Sequence, residues 1–169
     1  MIGNIEKILD ALNRADVRYL VVGGVAVVLH GYLRTTADLD LVVHLERENA
    51  LRALRALAGL GYRPRPPVEI ESFADAEART SWIRDKNLKV FSLYNPGIPA
   101  LEIDLFVAEP FDFEAVYDRA IRVRLDAATA TVIALEDLIT LKRSTGRPRD
   151  LEDIQALTAL KEGRSEPGG

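Results

Sequence analysis

The sequence predicts an α+β fold: a mixed β-sheet flanked by helices, with a helical pair at the C-terminus. Three observations carry this. Asp38–Leu45 (DLDLVVHL) and Leu101–Val107 (LEIDLFV) alternate with period two, as strands with one buried face do. Helix-periodic stretches separate the strand-like ones, so sheet and helices share one core. At the C-terminal end, Leu135–Thr145 carries Glu136 and Asp137 in its first turn, Lys142 and Arg143 near its end, and Gly146 behind it. That charge order complements a helix dipole, and Pro148 is suited to open a second helix.

The remaining elements follow in order. Ile2, Ile5, Ile8, Leu9 and Leu12 repeat with helical spacing, which predicts an amphipathic helix rather than a signal peptide. Val17–Val22 predicts a buried strand ending at Gly23-Gly24. Val25–His30 is apolar on every side and fits a short buried helix or a continued strand; the flanking glycines favour the helix. Arg47–Leu60 predicts a helix with Gly61 just past its end. Pro64, Pro66 and Pro67 impose an extended or irregular connection. Thr80–Arg84 and Leu88–Tyr94 flank Asp85-Lys86-Asn87, which predicts a hairpin. Phe113–Arg119 predicts a helix, Ile121–Leu125 and Thr131–Ile133 short strands, and Pro148 to about Lys161 the last helix. One domain over residues 1–161 is expected, followed by a disordered tail over 162–169.

Composition narrows the chemistry. A chain of 169 residues, 48% hydrophobic, buries about 70% of its extended surface. It contains no cysteine, which removes disulfides, thiol catalysis and Cys-based zinc. Only His30 and His44 offer imidazole, so any metal would be held mostly by oxygens, pointing to magnesium, manganese or calcium. The net charge of −4 gives no overall nucleic-acid footprint. The longest apolar run, Tyr19–Leu29, is broken by glycines and too short for a bilayer, so a cytoplasmic chain with no membrane partner is expected.

The informative stretch is GGVAVVLHGYLRTTADLD, Gly23 to Asp40. Glycines where a strand meets a helix let the backbone approach a ligand, and a helix N-terminus favours phosphate. Asp38 and Asp40, two apart on a strand, point the same way while Leu39, Leu41 and Val43 face the core. Neighbouring carboxylates repel unless a cation sits between them. Asp104 repeats the pattern in LEIDLFV and joins the cluster if the two strands are neighbours. Three carboxylates beside a phosphate-binding turn suit two-metal phosphoryl or nucleotidyl transfer. Singly, a Gly-Gly pair is usually a turn and a DxD a solvated strand face; their ordered combination carries the reading.

That combination resembles the nucleotidyltransferase superfamily of the polymerase-beta type. HGYLRTTADLDLVV is similar to a run found in small bacterial nucleotidyltransferase-like proteins, among them the AbiEii-type toxin group. Lincosamide nucleotidyltransferases are more distant relatives. LEDLITLKRSTGRPRDLEDIQAL looks like the same group's C-terminal segment, so the resemblance spans about residues 17–160. Gly24 is a departure, because many members have serine there. The resemblance implies the nucleotidyltransferase fold and transfer of an NMP from an NTP to a hydroxyl of a protein, tRNA or small molecule, with release of pyrophosphate. It implies Mg²⁺, or Mn²⁺, on Asp38, Asp40 and Asp104, with Asp104 also deprotonating the acceptor. Gly23 and Gly24 would cradle the β- and γ-phosphates. A place in a toxin–antitoxin system, a partner protein and a homodimer are all compatible with it. The competing reading is a silent nucleotide-binding or antitoxin-like module of the same fold.

Four supporting residues remain. Thr36 shares the parity of Asp38, so its hydroxyl serves either phosphate or local backbone. Arg34 either neutralises phosphate or bridges to Asp38 or Asp104. Lys142 and Asp150 sit on the apolar stripes of the last two helices, where charges are normally paired or functional. Either Lys142 reaches the nucleotide phosphates with Asp150 orienting it, or a Lys142–Asp150 or Arg–Asp150 bridge holds the last two helices together. Cations gather at Lys142, Arg143, Arg147 and Arg149, and again at Arg79, Arg84, Lys86 and Lys89, which leaves a polyanionic acceptor open. His30 is expected to end its short helix. Trp82, Phe91 and Tyr94 are expected in the sheet core.

Overall fold

In the computed structural model, which describes residues 2–165 with side chains to 163, seven strands form one sheet. They are β1 (Tyr19–Val22), β2 (Asp38–Val43), β3 (Arg63–Pro64), β4 (Val90–Tyr94), β5 (Glu102–Phe106), β6 (Ile121–Arg124) and β7 (Thr129–Val132). Their order is β3-β4-β5-β2-β1-β7-β6. The sheet is mixed: β2 runs parallel to β5 and β1 to β7, and the other pairs are antiparallel. Leu39, Leu41, Ile103 and Leu105 are fully buried, while Asp38, Asp40, Glu102 and Asp104 between them keep partial access to solvent. The alternation therefore has the expected phase, with one face packed and one face chemical.

The helices are α1 (Ile2–Arg14), α2 (Gly23–Leu29), α3 (Arg47–Gly59), α4 (Ala76–Lys86), α5 (Phe113–Asp118), α6 (Leu135–Thr145) and α7 (Pro148–Ser165). Helix α1 buries Ile5, Ile8, Leu9 and Leu12 and packs on α3 and β7. Glu46 caps α3 by accepting from the N–H groups of Glu48 and Asn49, at 2.9 and 3.0 Å. Helices α6 and α7 pack on each other, and Gly146 ends α6 in the left-handed region at φ 61°. Among the described residues no helix is long and apolar enough to cross a membrane.

The sequence reading needs correcting at one place above all. Thr80–Arg84 is not a hairpin strand; it lies inside α4. Asp75 caps that helix through the N–H of Glu77, and Asn87 at φ 50° ends it in the left-handed region. Asn87 is thus a helix stop, a role that asparagine shares with its place in hairpin turns. Trp82 reaches β4 from the helix and stacks on Phe91 with ring centroids 5.3 Å apart. The Pro-rich connection makes only the two-residue edge strand β3 before a 3-10 turn, Ile70–Ala74, that buries Phe73. The ambiguous Val25–His30 segment belongs to α2, which begins at Gly23 itself, and His30 caps its C-terminal end. His30 Nε2 also lies 2.8 Å from the carbonyl oxygen of Ile133. Helix α7 continues to Ser165, four residues past its expected end; residues 166–169 of the expected tail lie outside the described residues.

The packed face of β2 sets the stability of the sheet centre. Leu41→Ala removes a fully buried side chain between β1 and β5 and is expected to cost about 2–5 kcal/mol. Urea denaturation would show this as a lower midpoint at unchanged slope.

Candidate active site

Strand register assembles the acidic side of the site. The parallel pairing of β2 with β5 sets Asp40 abreast of Asp104 and Asp38 abreast of Glu102. On the far side of β5, Ser92 of β4 stands opposite Asp104, and its hydroxyl donates to Asp104 Oδ1 at 2.6 Å. Arg65 takes Glu102, with Nε 2.9 Å from Oε1, and lies over the Tyr94 ring at 4.6 Å. Glu102 therefore has its own counter-charge. Among the described residues no hydrogen bond or ion pair engages the carboxylates of Asp38 and Asp40.

Burial, then the charges of Asp104 and Asp38, push Asp40 up to about 7, and Lys142 and Arg147 pull only partly the other way. Asp38 is also raised, by burial and by Asp104 and Glu102. Among the described residues no three acidic or histidine side chains have converged into a closed ligating group. The donor set is all oxygen, and its two unpartnered carboxylates disfavour their own ionisation. Those properties fit a hard divalent cation such as magnesium.

The antiparallel pairing of β1 with β2 brings Val22 opposite Asp40, so α2 starts directly beside that carboxylate. Gly23 has φ +67°, and a Cβ there would fall on the Asp40 carboxylate, 2.7 Å from its Cγ. Only glycine satisfies both the backbone and the contact. A Cβ at Gly24 would meet Arg34 Nη1 at 2.5 Å and Thr36 Oγ1 at 2.7 Å. The departure from serine at this position thus accompanies an arginine and a threonine that fill the space. No side chain caps the N-terminus of α2.

A cleft of about 420 Å³ joins these parts. Gly23, Gly24, Arg34, Thr36, Asp38, Asp40, Asp104, Lys142 and Asp150 all line it, so every residue singled out for the site in the sequence meets here. Lys142 is only 5% exposed, with Nζ 2.9 Å from Asp153 Oδ2 and 3.5 Å from Asp150 Oδ1. Asp150 accepts from Lys142 and from other donors as well. It accepts from Thr145 Oγ1 at 2.6 Å, from the Arg147 N–H at 3.2 Å and from Arg147 Nε at 2.8 Å. Burial alone would raise the Asp150 carboxyl, but the bonds from Arg147 and Thr145 and the charges of Arg147 and Lys142 hold it far below the usual range. It caps α7 and ties it to the end of α6.

Arg34 bridges to neither Asp38 nor Asp104; its Nε lies 3.0 Å from Asp153 Oδ1. The Thr36 hydroxyl donates to the backbone oxygen of Asp38 at 3.3 Å. Arg147 and Arg149 stay exposed on one rim of the cleft and Lys89 on another, whereas Arg79 is buried against the Phe73 carbonyl. Three residues of the site were not singled out in the sequence: Ser92, Arg65 and Asp153. Asp153 stands four before Leu157 on the α7 stripe, the same signal that marked Asp150. Ser92 and Arg65 gave none, since their roles depend on which strands pair.

A family model described as "Nucleotidyltransferase of unknown function (DUF6036)" matches residues 2–162. The chain belongs to this nucleotidyltransferase family. No curated protein matches its sequence. Among solved structures it is similar to the lincosamide antibiotic adenylyltransferase LnuA, solved with lincomycin bound, at a TM-score of 0.62 and 15% identity. The likeness covers 95% of this chain and 98% of that one, and it shows the fold. The mixed sheet flanked by helices is the nucleotidyltransferase fold.

The strained charge on Asp40 gives a pH signature in this nucleotidyltransferase. The folded-state value is raised above 3.8, so ionising Asp40 costs stability as pH climbs from about 4, and the cost is complete above about 7. In EDTA, Asp40→Asn is expected to match the wild-type Tm near pH 4 and exceed it by a growing margin up to pH 8. A constant difference across that range would contradict the raised value.

Proposed function

We propose that the chain transfers an NMP from an NTP to an acceptor hydroxyl, with Asp38, Asp40 and Asp104 holding Mg²⁺, or Mn²⁺ in its place. The observation that carries this is the pairing of Asp40 with Asp104 in one cleft with the N-terminus of α2 and Lys142. When bound, the metal would offset charge on the phosphates and on the attacking oxygen.

The chain's own residues do the rest. Asp104 accepts the proton of the acceptor hydroxyl, and the Ser92 hydroxyl holds that carboxylate in one orientation. The acceptor oxygen forms a bond to the α-phosphorus as the bond from that phosphorus to the bridging oxygen breaks, and pyrophosphate leaves. Backbone N–H groups at Gly23 and Gly24, with the cations of Lys142 and Arg34, bear the β- and γ-phosphates. Such transfer needs positioning and charge neutralisation more than covalent participation by the protein.

The acceptor is a protein, tRNA or small molecule. The small-molecule class is represented by LnuA, an adenylyltransferase of lincosamide antibiotics, which resembles this chain throughout its length. The exposed cations Arg147, Arg149 and Lys89 on the rims suit an acceptor bearing phosphate. A toxin–antitoxin role is one biological setting compatible with the resemblance to the AbiEii-type group.

The test is incubation with each α-labelled NTP, Mg²⁺ and cell extract, with Asp40→Ala as control. Label is expected on one class of acceptor with the wild type only, and the Asp40→Ala rate should fall by at least about 10²-fold. Intact NTP binding without any transfer would instead indicate a silent nucleotide-binding module. Lys142→Met is expected to weaken NTP binding by about tenfold or more in isothermal titration, the scale of one charge-assisted hydrogen bond. Unchanged affinity would reduce Lys142 to a bridge between helices.

A further inference from the structure

Asp153 is the most buried charged residue next to the cleft, 1% exposed, and it holds two cations from two different elements. Its Oδ1 lies 3.0 Å from Arg34 Nε, on the segment joining α2 to β2. Its Oδ2 forms an ion pair with Lys142 Nζ on α6 at 2.9 Å and, among the described residues, accepts no hydrogen bond. Both cations line the cleft beside Gly24. With Asp150 shared between Lys142 and Arg147, three cations face two carboxylates and the group keeps one positive charge in excess. Lys142 and Arg34 are each compensated enough to remain buried, yet the pair still attracts an anion.

A bridge between α6 and α7 alone would not need this arrangement. Asp150 already ties the two helices through Thr145 and Arg147, and well-packed apolar side chains would join them at less desolvation cost. Arg34 belongs to neither helix. What the shared carboxylate adds is a fixed position for two cations that would otherwise repel each other.

We propose that Asp153 is a positioning residue: it presets Lys142 and Arg34 as a paired clamp for the polyphosphate of the nucleotide, and so makes the cleft prefer NTP over NMP. This rests on the nucleotide-binding reading above. The proton and bond changes of transfer do not involve Asp153; it acts only through the two cations.

The test separates this from a general field effect and from a merely structural one. Asp153→Asn removes a negative charge behind the phosphate site, so a field effect alone would tighten NTP binding. Positioning predicts the opposite sign. ATP, GTP, CTP and UTP with Mg²⁺ would be titrated in turn into the wild type, and the tightest compared with its own monophosphate. In Asp153→Asn, the NTP-over-NMP preference is expected to fall by about tenfold or more while NMP affinity stays within about twofold. In the Lys142→Met background, Asp153→Asn should lower the preference by a smaller factor than it does in the wild type, because only Arg34 then remains to be positioned.

Unchanged or tighter NTP binding in folded Asp153→Asn would overturn the proposal, as would equal losses for NTP and NMP. Should Asp153→Asn fail to fold, Asp153→Glu keeps the charge but moves it by one methylene, and the same loss of preference is expected. Wild-type protein that binds none of the four NTPs would overturn the nucleotide-binding reading itself, and with it this one. Wild-type binding that Asp153→Asn leaves intact would overturn the positioning role alone.

Discussion

The rest of the site answers to one constraint: Asp40 and Asp104 stand level on adjacent parallel strands, both lining one cleft. Burial and the charges of Asp104 and Asp38 raise the cost of ionising Asp40, and burial with Asp104 raises that of Asp38. Each neighbour either avoids adding to that cost or offsets part of it. Gly23 has no side chain where one would strike Asp40. Arg65 pairs with Glu102 and offsets part of the charge that this fourth acid adds beside Asp38. Ser92 gives Asp104 a donor, and Lys142 and Arg147 supply positive potential to Asp40 from the opposite wall.

That opposite wall is built on the same principle with the signs reversed. Arg34, Lys142 and Arg147 meet only Asp150 and Asp153, so it carries an excess positive charge. The cleft therefore pairs an acidic floor suited to a cation with a basic wall suited to an anion, and a metal–polyphosphate presents both. Keeping the two sets apart requires rigid supports. The acids are fixed by strand register and the bases by buried carboxylates on α7. A metal–nucleotide ligand would relieve the unfavourable charge on both sides at once, which favours binding the two together over binding either alone.

Much of this was legible in the sequence because strand parity and helix stripes are local. Asp38 and Asp40 share a face by alternation alone, Asp104 repeats the pattern and joins them once β2 and β5 pair, and Lys142 and Asp150 stand out as charges on apolar stripes. What failed was non-local or ambiguous. Asp85-Lys86-Asn87 suited a turn, but Asn87 ends a helix equally well in the left-handed region, and only Phe91 under Trp82 favours the helix. Both bridges expected at Asp150 are present, from Lys142 and from Arg147, but the second carboxylate on Lys142 was missed: Asp153 lies on the same stripe as Asp150. Pairings such as Arg65 with Glu102, 37 residues apart, follow from the β3-β4-β5 order and leave no local trace.

Gly24 shows how one departure from a motif is balanced elsewhere. A serine, common at this place in the superfamily the motif resembles, would offer one neutral hydroxyl at the start of α2. Here that volume is occupied from the other side by the Arg34 guanidinium and the Thr36 hydroxyl, which a Cβ on residue 24 would displace. A guanidinium brings full charge and several donors, and charge-assisted hydrogen bonds are roughly twice as strong as neutral ones. Losing the serine hydroxyl therefore need not weaken a phosphate site, provided the guanidinium is held in place. Asp153 Oδ1 supplies that hold at 3.0 Å. The glycine at position 24, the arginine at 34 and the aspartate at 153 form one solution, so replacing any one of them disturbs the packing or charge balance of the other two.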